Sequence, residues 1–543
     1  MTRRRAALGI AGAAGLIALI TLLARAAGVA RIFVFADAVR TGGVGNIYQT
    51  VNALPNVVFE VAAGGTLAAV AVPLIAQRLG AGEPDRADRL ASVLLTWTVA
   101  VLVPLGVALW LVAGPVVGWL VAERDPQSLE VGRTLLRIFA VQVPLYGVGI
   151  VLTGLLHAHR RFLTAAVAPL LSSVVVLTSY LWYGSIVDGE TAPSRVSDEA
   201  LAVLGWGTTL GVVVLSLPLV VPALRTGWRW RPAFRLDPDD RRRIGQLAGA
   251  GVLALVAQQG SVLVTAWLAQ HSSDGGVFST YVYVQAVYVL PYAVLAVPIA
   301  QSTFPAIARG AAGGADVAPT LGRSLRAVVV LTGIAAGVLM AAAPAIGGFF
   351  GILDARRGAE GASPEAIAAL PGALLAYAPG LVGFGLVALL TRALYVRGRP
   401  LDAAVATAFG WVVAAVPPLV LVGGGASAAV VLRTLGVSSS VGMTLAGVAL
   451  VVLVRRAWGA EVTRGIGRTT GAVVVALALA VAVGDVVSRG RTYDGLLEAV
   501  LVGLAAGAAA LLTGALAVFY GDRTMMGEIR DRGRARRRRG DAT

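Results

Sequence analysis

The chain has 543 residues, of which 57% are hydrophobic and only 14% charged; it carries a formal net charge of +16 and no cysteine. With a mean hydropathy of +0.80, this composition lies outside the soluble range. The lack of cysteine excludes a disulfide framework and a thiolate metal site.

Crossing about 30 Å of hydrocarbon takes roughly 20 apolar residues. About fourteen segments of that kind follow one another, at 7–37, 45–77, 90–121, 132–156, 162–183, 200–223, 244–270, 276–308, 325–350, 367–396, 402–422, 428–454, 468–487 and 495–520. The chain reads as an all-α polytopic membrane protein. The first segment carries Arg25 and no cleavage pattern follows it, so it is expected to stay as a span. Counting loops alternately from Arg3, Arg4 and Arg5, one side collects 33 of the 45 basic residues, the other nine, and Arg25, Arg31 and Arg433 lie inside apolar segments. Cytoplasmic loops are enriched in basic residues. Both termini and the loop 225–243 are therefore expected inside, with 184–199 and 351–370 outside. This segregation assigns the positive charge to topology and anionic inner-leaflet lipid, not to nucleic acid.

An internal repeat divides the chain. The run R-F-L-T-A-A-V-A at 161–168, after span four, returns as R-P-L-D-A-A-V-A at 399–406, after span ten. Leu54-Pro55 and Pro73-Leu74-Ile75-Ala76 in span two return as Leu290-Pro291 and Pro305-Ala306-Ile307-Ala308 in span eight. Both pairs are six spans apart, so the halves share one orientation. The expected organisation is an N-lobe at 1–224, a basic linker at 225–243, a C-lobe at 244–457, two further spans at 458–521, and a basic tail at 522–543. The tail, with its arginine run at 536–539, is expected to lie without fixed structure along the inner leaflet.

No nucleophile motif, phosphate-cradling loop or metal-ligand spacing is present, and no cofactor is implied. His157 and His159 close a span at its cytoplasmic end, and His271 falls in an outer loop. Intramembrane polar residues are costly and so carry the information. Arg25 lies deep in span one, with Arg31 six residues, about 9 Å, further along. Gln49, Asn52, Asn56 and Glu60 form one polar stripe on span two at spacings of three, four and four, with Pro55 in its middle. Glu60 is the natural ion-pair partner for Arg25 or Arg31. Span eight carries Tyr281, Gln285, Tyr288 and Tyr292 at the same kind of spacing, a face suited to a sugar or peptide headgroup. Gln258 and Gln259 in span seven are weaker candidates, and Arg433 has the position of a snorkelling residue.

These residues resemble a known family. Arg25-Ala-Ala-Gly28-Val-Ala-Arg31, Leu54-Pro55-Asn56 and the stretch 65–73 are similar to the start of the MurJ/MviN lipid II flippases, within the multidrug/oligosaccharidyl-lipid/polysaccharide exporter superfamily. Gly154-Leu-Leu, Arg161-Phe162 and Ala168-Pro169 fit the same family, as do Tyr377-Ala-Pro-Gly380-Leu-Val-Gly383 and Arg392-Ala-Leu-Tyr395. The resemblance implies two six-helix lobes plus two helices that offer a lipid-tail groove. It implies transport rather than catalysis: flipping of an undecaprenyl-pyrophosphate-linked peptidoglycan precursor to the outer leaflet of the bacterial plasma membrane for cell-wall biosynthesis and cell shape. The intramembrane arginines and the two stripes give the candidate substrate site: Arg25, Arg31, Asn52, Asn56, Glu60, Gln285 and Tyr288. Phe59 and Glu60 stand where the family usually has basic residues, and Gln285-Ala286 where it often has an Asp-Arg pair. The alternatives are export of another polyprenyl-linked glycan, or a transport-inactive scaffold among cell-wall synthesis proteins.

Overall fold

The structure, a computed structural model, describes residues 2–121, 125–356, 363–488 and 491–522, with side chains left out at 2–15, 17–18, 64–71, 239 and 241–250. The basic tail beyond Asp522 lies outside the described residues. Twelve helices among these residues are long and apolar enough to span a membrane, and the pair Pro364–Tyr377 and Gly380–Val396, bent by 52°, supplies a thirteenth. The remaining expected segment, span two, is helical through Gly43–Phe59, Glu60–Gly64 and Gly65–Gly80. Each expected segment is thus a helix or a broken helix, and the protein is an all-helical, multi-pass membrane protein.

The chain forms two compact units, Met1–Val282 with Leu353–Pro364, and Tyr283–Ile352 with Glu365–Thr543. In the first, span one packs on span five, span three on span four, and span five on span six. In the second, span twelve is the hub against spans ten and eleven. Spans thirteen and fourteen pack on each other and join span nine through Ala341, Ala480, Ala506 and Ala510.

The interruptions follow the repeat. Span two carries Pro55 and then a π-helical turn at Glu60–Gly64. Span eight carries Pro291 directly before a π-helical turn at Tyr292–Ala296. A proline removes one ladder donor and crowds the preceding turn, and a π turn is one way a helix absorbs the mismatch. Span one also ends in a π turn, Phe35–Val39. Arg40 follows in a left-handed conformation, φ 74°, and donates its backbone N–H to Phe35 O at 2.9 Å. Gly43 (φ +47°) then restarts the helix so close to Thr191 that a Cβ would lie 2.1 Å from its carbonyl oxygen.

The bend in span ten has a stated chemistry. Pro379 has no N–H to give, and the Ser440 hydroxyl from span twelve sits 2.6 Å from Ala376 O and 3.0 Å from Tyr377 O while accepting from Gly380 N–H at 3.0 Å. The small residues of the Gly380-Leu-Val-Gly383 signature permit that approach. A Cβ on Gly383 would come within 2.2 Å of Met443 O, which is backbone and cannot swing aside. Gly383→Ala should therefore lower the thermal midpoint of the solubilised protein, at a cost of about 1–3 kcal/mol. Gly372→Ala, with nothing within 4 Å of its Cβ, should be neutral or slightly stabilising. Equal midpoints for the two variants would refute the packing account.

Candidate functional site

In the first unit, Arg25 and Arg31 are exposed, and neither makes a hydrogen bond or salt bridge among the described residues. The charge of Arg31 reaches Tyr48, Tyr146 and Tyr180. Around it the aromatic hydroxyls are wired together: Tyr48 Oη lies 2.8 Å from Tyr180 Oη and 2.9 Å from Thr208 Oγ1. Tyr146 donates to Gln142 Oε1 at 3.2 Å, and Gln142 Nε2 donates to Thr209 Oγ1 at 2.9 Å. The Tyr146 ring leans on Phe59 at 5.6 Å between centroids.

The span-two stripe divides along its length. Beside it, in the N-terminal turns of the same span, Asn46 Oδ1 accepts from Ser279 N–H at 3.3 Å, and Gln270 Nε2 donates to Asn46 O and to Thr50 Oγ1. Within the stripe itself Asn52 Oδ1 is buried, Asn56 is exposed and Glu60 is half-buried; neither Asn52 Oδ1 nor Glu60 has a hydrogen-bond or salt-bridge partner among the described residues. The expected pairing of Glu60 with Arg25 or Arg31 is not formed. The reason is tertiary: span one, which carries both arginines, packs on span five rather than on span two.

In the second unit, Gln285 is half-buried and makes no hydrogen bond among the described residues. Tyr288, expected to meet a headgroup, is instead 4% exposed and packs against Tyr377 and Phe384. The neighbouring Tyr292 remains half-buried, stacked on Phe384 at 4.1 Å, and lies within reach of the Arg392 charge. Gln259 is buried, Arg433 is exposed, and His271 stacks on Trp267.

Two polar nodes escaped the sequence reading. On the side expected to be outer, Arg40 is 1% exposed. It donates to Gly189 O at 3.0 Å and Asp354 O at 2.6 Å, while the Asp354 carboxylate accepts from Thr41 and Ser363 backbone N–H groups. On the opposite side, Arg78 pairs with Asp240 at 2.9 Å and with Glu83 at 3.0 Å, tying the end of span two to the start of span seven. Both arginines look like ordinary loop charges in the sequence, because Asp354 and Asp240, the acidic residues that hold them, lie 314 and 162 residues away. Gln142 and Tyr146 were legible: they lie four apart in an apolar segment, the pattern used for spans two and eight.

The fold is that of a helical multi-pass membrane protein with paired interrupted spans. It superposes on an inward-facing multidrug resistance MATE family transporter of the MOP superfamily with a TM-score of 0.62 at 13% identity, covering 82% of this chain and 96% of that one. It also superposes on lipid II flippase MurJ in an inward closed conformation, with a TM-score of 0.69 at 15% identity over 94% of this chain and 99% of that one. The model of the family described as Lipid II flippase MurJ matches residues 35–493, and the chain belongs to that family. A probable lipid II flippase MurJ of Rhizobium meliloti (strain 1021) is 28% identical over 331 residues, 59% of each chain. A lipid II flippase MurJ of Burkholderia cenocepacia is 24% identical over 395 residues, 69% of this chain and 71% of that one. The chain spans less than two thirds of the Rhizobium meliloti and Rhizobium tropici relatives, 59% and 58%.

Two predictions follow from these contacts. Since Glu60 touches neither arginine, a Glu60→Gln/Arg31→Gln double-mutant cycle read on thermal stability should be additive within about 0.5 kcal/mol; a larger coupling would reinstate the ion pair. Hydrogen bonding from Arg78 holds the Glu83 carboxyl below its usual value. A group so depressed stabilises the fold above its unfolded pKa, and that contribution is lost as pH falls through the lower folded value. The thermal midpoint should thus drop on acidification below about pH 4, and Glu83→Gln should flatten that limb.

Proposed function

We propose that this protein flips lipid II, the undecaprenyl-pyrophosphate-linked peptidoglycan precursor, from the inner to the outer leaflet of the bacterial plasma membrane. The reading is supported above all by the family match over residues 35–493. The chemistry agrees with it. A pyrophosphate crossing hydrocarbon needs cations that are not already neutralised, and Arg25 and Arg31 are exposed with no acidic partner among the described residues. Guanidinium forks suit bidentate contact with phosphate oxygens. Asn52, Asn56 and Glu60 offer further polar contacts to the sugar and peptide, as do Gln285 and Tyr288 of span eight.

Transport proceeds by alternating access between the lobes 1–224 and 244–457, joined by the linker 225–243, with spans thirteen and fourteen offering a groove for the polyprenyl tail. The segregation of arginines supports both termini and the 225–243 loop inside. A second reading, another polyprenyl-linked glycan, is favoured by Phe59-Glu60 and Gln285-Ala286, which make the site less cationic than the family pattern. A transport-inactive scaffold among cell-wall synthesis proteins is the third.

The deciding experiment is complementation of a strain depleted of its own lipid II flippase, with labelled lipid II followed at the outer leaflet. The wild-type chain should restore flipping. Arg25→Ala and Arg31→Ala should each abolish it without loss of expression or insertion, and Arg→Lys should restore it only in part, because an ammonium makes no bidentate contact. Full activity of Arg25→Ala would sink the cavity model. A wild-type chain that moves a different polyprenyl-linked glycan instead would select the second reading, and one that moves neither would select the scaffold.

A further inference from the structure

The segment 225–237 has no regular secondary structure, yet it is held along span three (Pro84–Leu111) by a ladder of side chains. Asp88, Ser92 and Thr96 recur every four residues on one helix face. Trp228 Nε1 donates to Asp88 O at 3.3 Å and Ser92 Oγ at 3.2 Å. Arg231 N–H donates to Ser92 Oγ at 3.4 Å, and Ala233 N–H and Trp230 Nε1 donate to Thr96 Oγ1 at 3.3 and 3.2 Å. Trp97 Nε1 completes the series on Phe234 O at 3.1 Å, with the two rings edge to face at 5.6 Å. The segment therefore climbs beside the helix from the level of Asp88 to that of Trp97, nine residues or about 14 Å, instead of leaving it for water.

Its side chains sort by chemistry. Trp228 is buried at 2%, whereas Trp230, Phe234 and Trp97 are 45%, 57% and 47% exposed. Arg225, Arg229, Arg231 and Arg235 are all exposed. The guanidinium groups of Arg225, Arg231 and Arg235 make no hydrogen bond or salt bridge among the described residues, while Arg229 is spent on Leu224 O and Trp228 O. Among the described residues the acidic groups beside the segment are Asp237 within it, and Asp88, which feels both Arg231 and Asp85. Amphipathic aromatic rings settle at the headgroup level of a bilayer, and arginines beside them attract anionic lipid.

We infer that the 225–237 strap is a binding site for the headgroup of an anionic phospholipid of the inner leaflet. Arg231 and Arg235 engage the phosphate, and Trp230, Phe234 and Trp97 seat at the boundary between headgroups and acyl chains. The leaflet, though not the site, rests on the orientation proposed above. The strap's backbone is already ordered by Ser92 and Thr96, so binding requires little further ordering of the chain.

The test is native mass spectrometry of the full-length protein in detergent, titrated with phosphatidylglycerol or phosphatidylcholine. Arg231→Gln/Arg235→Gln should weaken phosphatidylglycerol binding roughly tenfold and leave phosphatidylcholine binding unchanged; wild-type affinity in that variant would overturn the site. Ser92→Ala/Thr96→Val keeps every charge but frees the strap, and should weaken binding by a smaller factor of about three; no change would overturn the role of the ordered backbone. Inorganic phosphate at millimolar concentration should fail to displace the lipid, and displacement would reassign the site to a free anion. Orientation is read separately by labelling Thr226→Cys in this cysteine-free chain with an impermeant maleimide. Labelling in intact cells would move the site to the other leaflet and overturn the inner-leaflet assignment, while the detergent titration still judges the site itself.

Discussion

Hydrocarbon offers no partner to a backbone N–H or C=O, so every irregularity in a spanning helix must be repaired by the protein itself. The interruptions here obey that constraint. Ser440 bridges the carbonyls and amide left open around Pro379. The π turns after Pro55 and Pro291 keep the ladder running with a changed register. Where span one ends, Arg40 N–H returns to Phe35 O, and its guanidinium takes up carbonyls from Gly189 and Asp354. The polar chemistry of the fold gathers where helices are broken, because those are the places where side chains are already required near the backbone.

The same constraint explains the fate of intramembrane charge. A buried cation needs a partner or water. Arg40 solves this with carbonyl oxygens, and Arg78 with two carboxylates. Arg25 and Arg31 make no hydrogen bond or salt bridge among the described residues and are exposed. Glu60 does not pair with either of them, because span one packs on span five rather than on span two. An apparent weakness of the sequence, one acid among two arginines, does not become an ion pair.

The connection between spans six and seven shows how a loop can be structure rather than spacer. Its order comes from hydroxyls and carbonyls on span three that bond indole and backbone N–H groups. Those partners lie more than 130 residues earlier in the chain, and the exposed aromatics and arginines of the segment are arranged as a consequence.

Length and order of the spans were legible in the residues alone, because hydropathy over a 20-residue window is a local property. The repeat was legible for the same reason: Leu54-Pro55 and Leu290-Pro291 mark helices that both contain π turns. The polar stripe of span two was visible as spacing, as Gln142 and Tyr146 were to anyone applying the same rule to span four. Which members of a stripe are used up by the protein was not. Asn52 Oδ1 is buried while Asn56 is exposed, and Tyr288 is buried against Phe384 while Tyr292 is half-buried. Spacing along a helix gives the face a side chain occupies, but only the packing of distant segments decides what that face meets, and the energy of a polar group in a membrane depends on what it meets.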